Sequence, residues 1–225
     1  MGYTTDFYGN FSVSGNLTLE LVKYITDFSL ARHTEVDVEM FKKEYPDWAK
    51  YGFNGDIGKF GEFLVYGAHH DIYCFDPSKP NPFEVNSYNP KITDSFWCEW
   101  SFLDSDGEFL GDRSDKEISR LIKNDEICFG WNGAEKFYCY EEWLHFLLPN
   151  FLIPSGVVLN GATLAVGEDN GDARYIIIND NEVITVDAYD ENAEKTLRKF
   201  CASDVVDDVY KSCEELSSFW EYDDY

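Results

Sequence analysis

The sequence predicts an α+β domain: a mainly antiparallel sheet covered by two or three helices, with an acidic amphipathic helix at the C-terminus. Three observations predict it. Apolar runs over 157–168, 173–178 and 182–188 are joined only by Asn170-Gly171 and Asn179-Asp180-Asn181, and connections that short demand antiparallel pairing. Between such runs lie stretches with apolar residues at helical spacing behind plausible caps. The chain is also 44% hydrophobic and 17% aromatic, which supplies a core despite its high charge and excludes a disordered chain. At 225 residues it should bury roughly 70% of its unfolded surface, and residues 1–188 are expected to form one domain with 189–225 packed on it or extending from it.

Thr4 to Val13 alternates as a strand with Phe7, Phe11 and Val13 inward, closed by Gly15-Asn16. A helix follows from Thr18 as N-cap, with Leu17, Leu21, Val22, Ile25, Phe28 and Leu30 as its apolar stripe. Glu39 to Lys43 adds a short helix stopped by Pro46. Residues 52–100 are rich in glycine and proline and read as loops, with strands expected at Glu62 to Tyr66 and Ser95 to Phe102.

Ser114 and Glu117 form a capping box that opens a helix to Lys123. Asn132-Gly133 lies between Ile127–Trp131 and Ala134–Tyr138, and this dipeptide is the preferred type I′ turn, so a β-hairpin is expected there. Glu141 to Phe151 is a helix whose last turn is weakened by Pro149. The three-stranded meander follows, and Asp190 to Tyr225 then keeps an approximate helical period through Ala193, Leu197, Phe200, Val205, Val209, Cys213, Leu216 and Trp220.

Charge narrows the partners. With 43 acidic against 18 basic residues, the formal charge is -25, and such a surface repels phosphate backbones and anionic membranes. A basic host or defence protein is the expected partner, with no direct nucleic acid and no membrane. The N-terminus has no basic, apolar leader and no segment is long enough to span a bilayer, so a cytoplasmic location is expected. Cys74, Cys98, Cys128, Cys139, Cys201 and Cys213 show no paired spacing, so reduced thiols and no metal are expected.

Four stretches carry a family likeness: Met1-Gly2-Tyr3-Thr4-Thr5-Asp6-Phe7-Tyr8-Gly9, Trp97-Cys98-Glu99-Trp100, Trp131 to Tyr138 with Trp143 behind it, and Leu159-Asn160-Gly161 before Gly167-Glu168. Over most of residues 1 to 187 the chain resembles an uncharacterised family of small phage-encoded and bacterial proteins. The resemblance implies a phage or prophage setting and transfers no catalytic residue.

The candidate binding residues are Trp131 as an aromatic anchor beside Glu135 and Lys136, and the acidic end with Asp207, Asp208, Glu214, Glu215 and Trp220. From Cys201 onward there are eight carboxylates against the single Lys211, a pattern that suits charge mimicry of a nucleic acid on another protein. Most carboxylates, including Glu141-Glu142, arise by composition and read as a solvated face. The alternative function is a nucleotide or small-molecule binder, with Phe53, Phe60, Tyr66 and Tyr73 stacking a base near Lys59. An enzyme centred on His69, His70 and Asp71, with Cys74 or Asp76 as further ligands, is the weakest option, because neither zinc nor triad spacings are present. His33 and His145 read as surface or helix-end residues. No cofactor and no catalytic residue are expected.

Overall fold

The computed structural model describes residues 3–66, 80–169, 171–207 and 209. Its fold is α+β, with a large antiparallel sheet of seven strands. The predicted N-terminal strand is two strands, β1 (Thr5–Tyr8) and β2 (Phe11–Gly15). Both pair with one edge of β7 (Val157–Gly167): Tyr8 faces Leu164 and Phe11 faces Gly161. The register therefore continues across Gly9 and Asn10, and the interruption is a local distortion. Gly9 has φ 98°, and a Cβ there would come within 3.0 Å of the Ala162 carbonyl oxygen and 3.1 Å of Val209 Cγ2.

Helix α1 (Leu19–Leu30) begins where predicted, with Thr18 Oγ1 accepting from Leu21 N at 3.2 Å, and it buries Leu21, Val22, Ile25 and Phe28. Next come β3 (Thr34–Val36), α2 (Val38–Glu44) capped by Asp37, and a 3-10 turn at Trp48–Tyr51. Strand β4 (Phe83–Tyr88), which the sequence reading did not place, pairs with β3. Glu62 to Tyr66 is a correction: it is not a strand. Its backbone turns, with Leu64 N donating to Gly61 O and Val65 N to Tyr51 O. The apolar run serves two cores, Phe63 and Val65 in the main one and Leu64 and Tyr66 in a satellite around Phe41, Ile57 and Phe83.

Strand β5 (Trp100–Asp104) starts later than predicted, while Phe96 and Trp97 meet His33 and Arg32 instead. Helix α3 (Asp115–Lys123) carries the expected capping box between Ser114 and Glu117. Strand β6 (Ile127–Trp131) pairs with β5 and β2. Helix α4 (Tyr140–Leu147) continues as a π-helical turn, Leu148–Leu152, with Pro149 in its first turn. Strands β8 (Ala173–Asn179) and β9 (Glu182–Asp187) complete the meander, giving the order β5-β6-β2-β7-β8-β9 with β1 beside β7. The type I′ signature belongs to Asp180-Asn181, with φ 47° and 68°, in the two-residue loop of the β8–β9 hairpin.

Alternation along β7 and β8 divides the interior. Val157, Leu159, Ala165, Ile176 and Ile178 join the main core under α1, α3 and α4. Ala162, Leu164, Val166, Tyr175 and Ile177 face α5 (Ala193–Phe200). The continuous C-terminal helix is a second correction, because Cys201 is extended at φ -116°, ψ 153° and a new helical turn starts at 203. The break lets Val206 and Val209 return to the same face as Leu197. Among the described residues, no helix is long and apolar enough to cross a membrane.

Asn181 fixes the hairpin to the centre of the sheet: its Oδ1 accepts from Leu159 N at 2.8 Å and its Nδ2 donates to Val157 O at 2.9 Å. Asn181→Ala should lower the unfolding free energy by roughly 1–2 kcal/mol, since it loses two hydrogen bonds and sets an alanine at positive φ. A urea midpoint unchanged from wild type would show that the turn is not held this way.

Candidate functional site

The loop after β6 is where the predicted hairpin fails. Asn132 N donates to Glu99 O at 2.9 Å, and Asn132 Oδ1 accepts from Ala134 N at 3.0 Å. Gly133, Lys136 and Cys139 all adopt positive φ (87°, 67° and 55°), so the backbone reverses repeatedly instead of returning as a strand. Phe137 thereby drops into the core. Trp131 is half-buried and not a free anchor: its ring lies 5.5 Å from that of Phe7, and its Nε1 donates to Ala134 O at 2.9 Å and Glu99 Oε2 at 3.2 Å. Glu135 and Lys136 are exposed on this loop, and Tyr138, 41% exposed, is its accessible ring.

The loop forms one wall of a cleft of about 440 Å³ lined by Tyr3, Tyr138, Tyr140, Glu141, Glu142, Asp172 and Arg174, among others. The start of α4 presents Tyr140, Glu141 and Glu142, while β8 and the turn before it present Asp172 and Arg174. Two carboxylates share the Arg174 guanidinium, Glu141 Oε1 at 3.2 Å and Asp172 Oδ1 at 3.7 Å. Their other oxygens accept from neutral hydroxyls: Thr185 Oγ1 donates to Glu141 Oε2 at 2.9 Å, and Tyr3 Oη donates to Asp172 Oδ2. Tyr3 N in turn donates to Tyr138 Oη at 2.9 Å. Burial pushes the Tyr140 hydroxyl up to about 12 and raises that of Tyr3, where the hydrogen bond to Asp172 adds to the effect. Both tyrosines are therefore neutral at physiological pH. The cleft offers fixed carboxylates and aromatic walls, which suits a cationic side chain better than a phosphate.

Glu99 is an acidic residue whose burial sequence reasoning missed. It is 5% exposed, and burial pushes its carboxyl up to about 7 while the Trp131 indole N–H pulls the other way. The signal was present as an acid between Cys98 and Trp100 in a strand-like run. His33, expected at the surface or at a helix end, lies just past the end of α1 but is buried: it is 2% exposed, its ring tilted against Phe28 at 4.0 Å, with Nε2 bonded to Phe28 O at 2.9 Å. Burial draws it down to about 4. His145 is exposed in the last turn of α4, as expected.

Of the proposed base-stacking set, Phe53, Phe60 and Tyr66 are among the described residues, and each packs among different neighbours. Phe53 packs on Tyr24 and Phe151, Tyr66 on Tyr45 and Tyr51, and Phe60 lies beneath Lys59 and Lys91. A second cleft beside Phe53 contains Lys23 and Lys50, but both are neutralised, by Asp115 and Asp47. Asp207 is exposed and paired with Arg198 at 3.3 Å. Asp208, Glu214, Glu215 and Trp220 lie outside the described residues, as do His69, His70, Asp71, Tyr73, Cys74 and Asp76. Among the described residues no group of three or more His, Cys, Asp or Glu is placed to hold a metal. Comparison with family models, with curated proteins and with solved structures finds no match.

Because the fold favours protonated Glu99, its contribution to stability is complete below about 4.5 and is lost as pH rises through about 7. His33 acts oppositely, its contribution being complete above 6.5 and lost as pH falls towards 4. Urea titrations from pH 4 to 8 should show that Glu99→Gln gains stability relative to wild type as pH rises across this window. A wild-type minus variant difference that does not change with pH would contradict the burial of this carboxyl.

Proposed function

We propose that this chain is an acidic binding protein that occupies and blocks a basic surface on another protein. The observation that carries this reading is the convergence of Glu141, Glu142 and Asp172 with Tyr3, Tyr138 and Tyr140 in one cleft, on a chain of charge -25. Carboxylates draw in the basic surface over distances set by the ionic strength, and tyrosine rings add contact area at low entropic cost. The phage setting implied by its sequence motifs would make a host or defence protein the target, with the acidic residues of the C-terminal sequence adding negative charge that mimics a nucleic acid. Nucleotide binding is the weaker reading, since the tyrosine-lined cleft is acidic and the rings of the 53–66 region do not converge.

Affinity capture from a bacterial lysate at low and high salt tests the proposal. A basic protein should be retained at low salt and released at high salt. With that protein in hand, Glu141→Gln with Asp172→Asn, or neutralisation of Asp207, Asp208, Glu214 and Glu215, should slow association several-fold and flatten its salt dependence. Tyr138→Ala should instead speed dissociation, by on the order of 2 kcal/mol for a hot-spot ring. Salt-insensitive capture, or a copurifying nucleotide, would overturn the reading.

A further inference from the structure

The two ends of the main sheet are finished differently. At one end, β5 is buried along its whole length, Leu103 is bridged to Phe109, and Asp104 N donates to Glu108 O at 3.0 Å. At the other end, β9 pairs with β8 through six uninterrupted register positions, from Arg174 opposite Asp187 to Asn179 opposite Glu182, and has no strand on its outer side among the described residues. Ala188 N donates to Ala173 O at 2.9 Å, so by antiparallel alternation Glu182, Ile184 and Val186 turn their backbone groups to β8, while Val183, Thr185 and Asp187 turn theirs outward. Asp190 N takes the Asp187 carbonyl at 3.1 Å. The outward N–H and C=O groups of Val183 and Thr185 have no hydrogen-bond partner among the described residues.

Proteins ordinarily protect such an edge with proline, lysine, a bulge or a covering segment. The strand Glu182-Val-Ile-Thr-Val-Asp187 has no proline, no basic residue and no register shift. Its side chains are already engaged on both faces, Val183 with the main core, Thr185 with Glu141, and Ile184 and Val186 with the second core. What remains to be recognised is the backbone.

We propose that the open edge of β9 accepts an extended basic segment of the partner protein as an added strand, with Lys or Arg near the ends of that segment set against Glu182 and Asp187. A second copy of the chain is the wrong occupant: antiparallel self-pairing through the outward groups would centre on Thr185 and set Asp187 against Val183, leaving Glu182 and Asp187 without a cationic partner while bringing together two chains of charge -25 each. A basic strand converts the same end charges into attractions. The edge also adjoins the cleft, because Thr185 bonds Glu141 and Asp187 sits opposite Arg174, so one segment would reach both. The basic character of the occupant rests on the function proposed above, whereas the open edge does not.

The probe is the blocked peptide Lys-Val-Thr-Val-Thr-Lys, compared with the same peptide N-methylated at alternate residues and with one carrying Glu at both ends. Fluorescence anisotropy should give binding at least about tenfold tighter for the unmethylated basic peptide than for the methylated one, the expected loss for one or two hydrogen bonds. The Glu-ended peptide should not bind. Exchange of the Val183 and Thr185 amides should be fast in the free protein and slow at least about tenfold at peptide saturation, as protected strand amides do. Equal binding of methylated and unmethylated peptides, no binding of the basic peptide, or slow exchange of these amides in the free protein would each overturn the proposal. Salt-dependent capture of a basic protein alongside any of those results leaves the proposed function standing without the edge. Peptide addition without such capture leaves the edge standing without the proposed function.

Discussion

Strand β7 is hydrogen-bonded along both edges and covered on both faces over most of its length, and this double burial governs the arrangement of everything around it. One edge must accept two strands in succession, β1 and β2, so the chain between them bends at Gly9 without losing register. The other edge takes β8, whose isoleucines alternate between the two cores in step with β7. A strand buried on both faces requires helices on both sides. The main core gets α1, α3 and α4, and the opposite face gets α5 and the turn carrying Val206 and Val209. Asn181 then closes the assembly by tying the β8–β9 turn to Val157 and Leu159.

Elements governed by local chemistry were legible in the sequence. Thr18 and Ser114 cap their helices through their own side chains, Pro149 diverts the end of α4, and the meander follows from loops too short for any other pairing. What was not legible depended on contacts far apart in sequence. Asn132-Gly133 has turn composition, but β6 is already flanked by β5 and β2, so no place remains for a returning strand beside it. The true type I′ turn, Asp180-Asn181, gives a weaker composition signal and is specified by its bonds to β7. Glu62 to Tyr66 imitates a strand because its apolar residues divide between two cores. The cleft was half legible: the 131–138 stretch was singled out, but Tyr3, Asp172 and Arg174 reach it only through the pairing of β1 and β8 with β7.

Electrostatics links this scaffold to its proposed role. Glu141 and Asp172 each spend one oxygen on Arg174 and the other on a neutral hydroxyl. Fixed in this way, they present negative charge without having to be ordered on binding, which reduces the entropic cost of association. Arg174 offsets only part of that charge and keeps two neighbouring acids compatible at one site. Glu99 lies behind the loop wall, where its carboxyl and its backbone carbonyl hold Trp131 and Asn132, so the wall of the cleft is built on the core rather than on a free hairpin.

Carbodiimide labelling of carboxylates, read by mass spectrometry with and without the protein captured from lysate, reports whether the cleft forms the interface. Glu141, Glu142 and Asp172 should lose most of their labelling in the complex, while Asp115 and Glu126, on and beside α3, keep theirs. Unchanged labelling of the cleft carboxylates in a saturated complex would place the interface elsewhere on the protein.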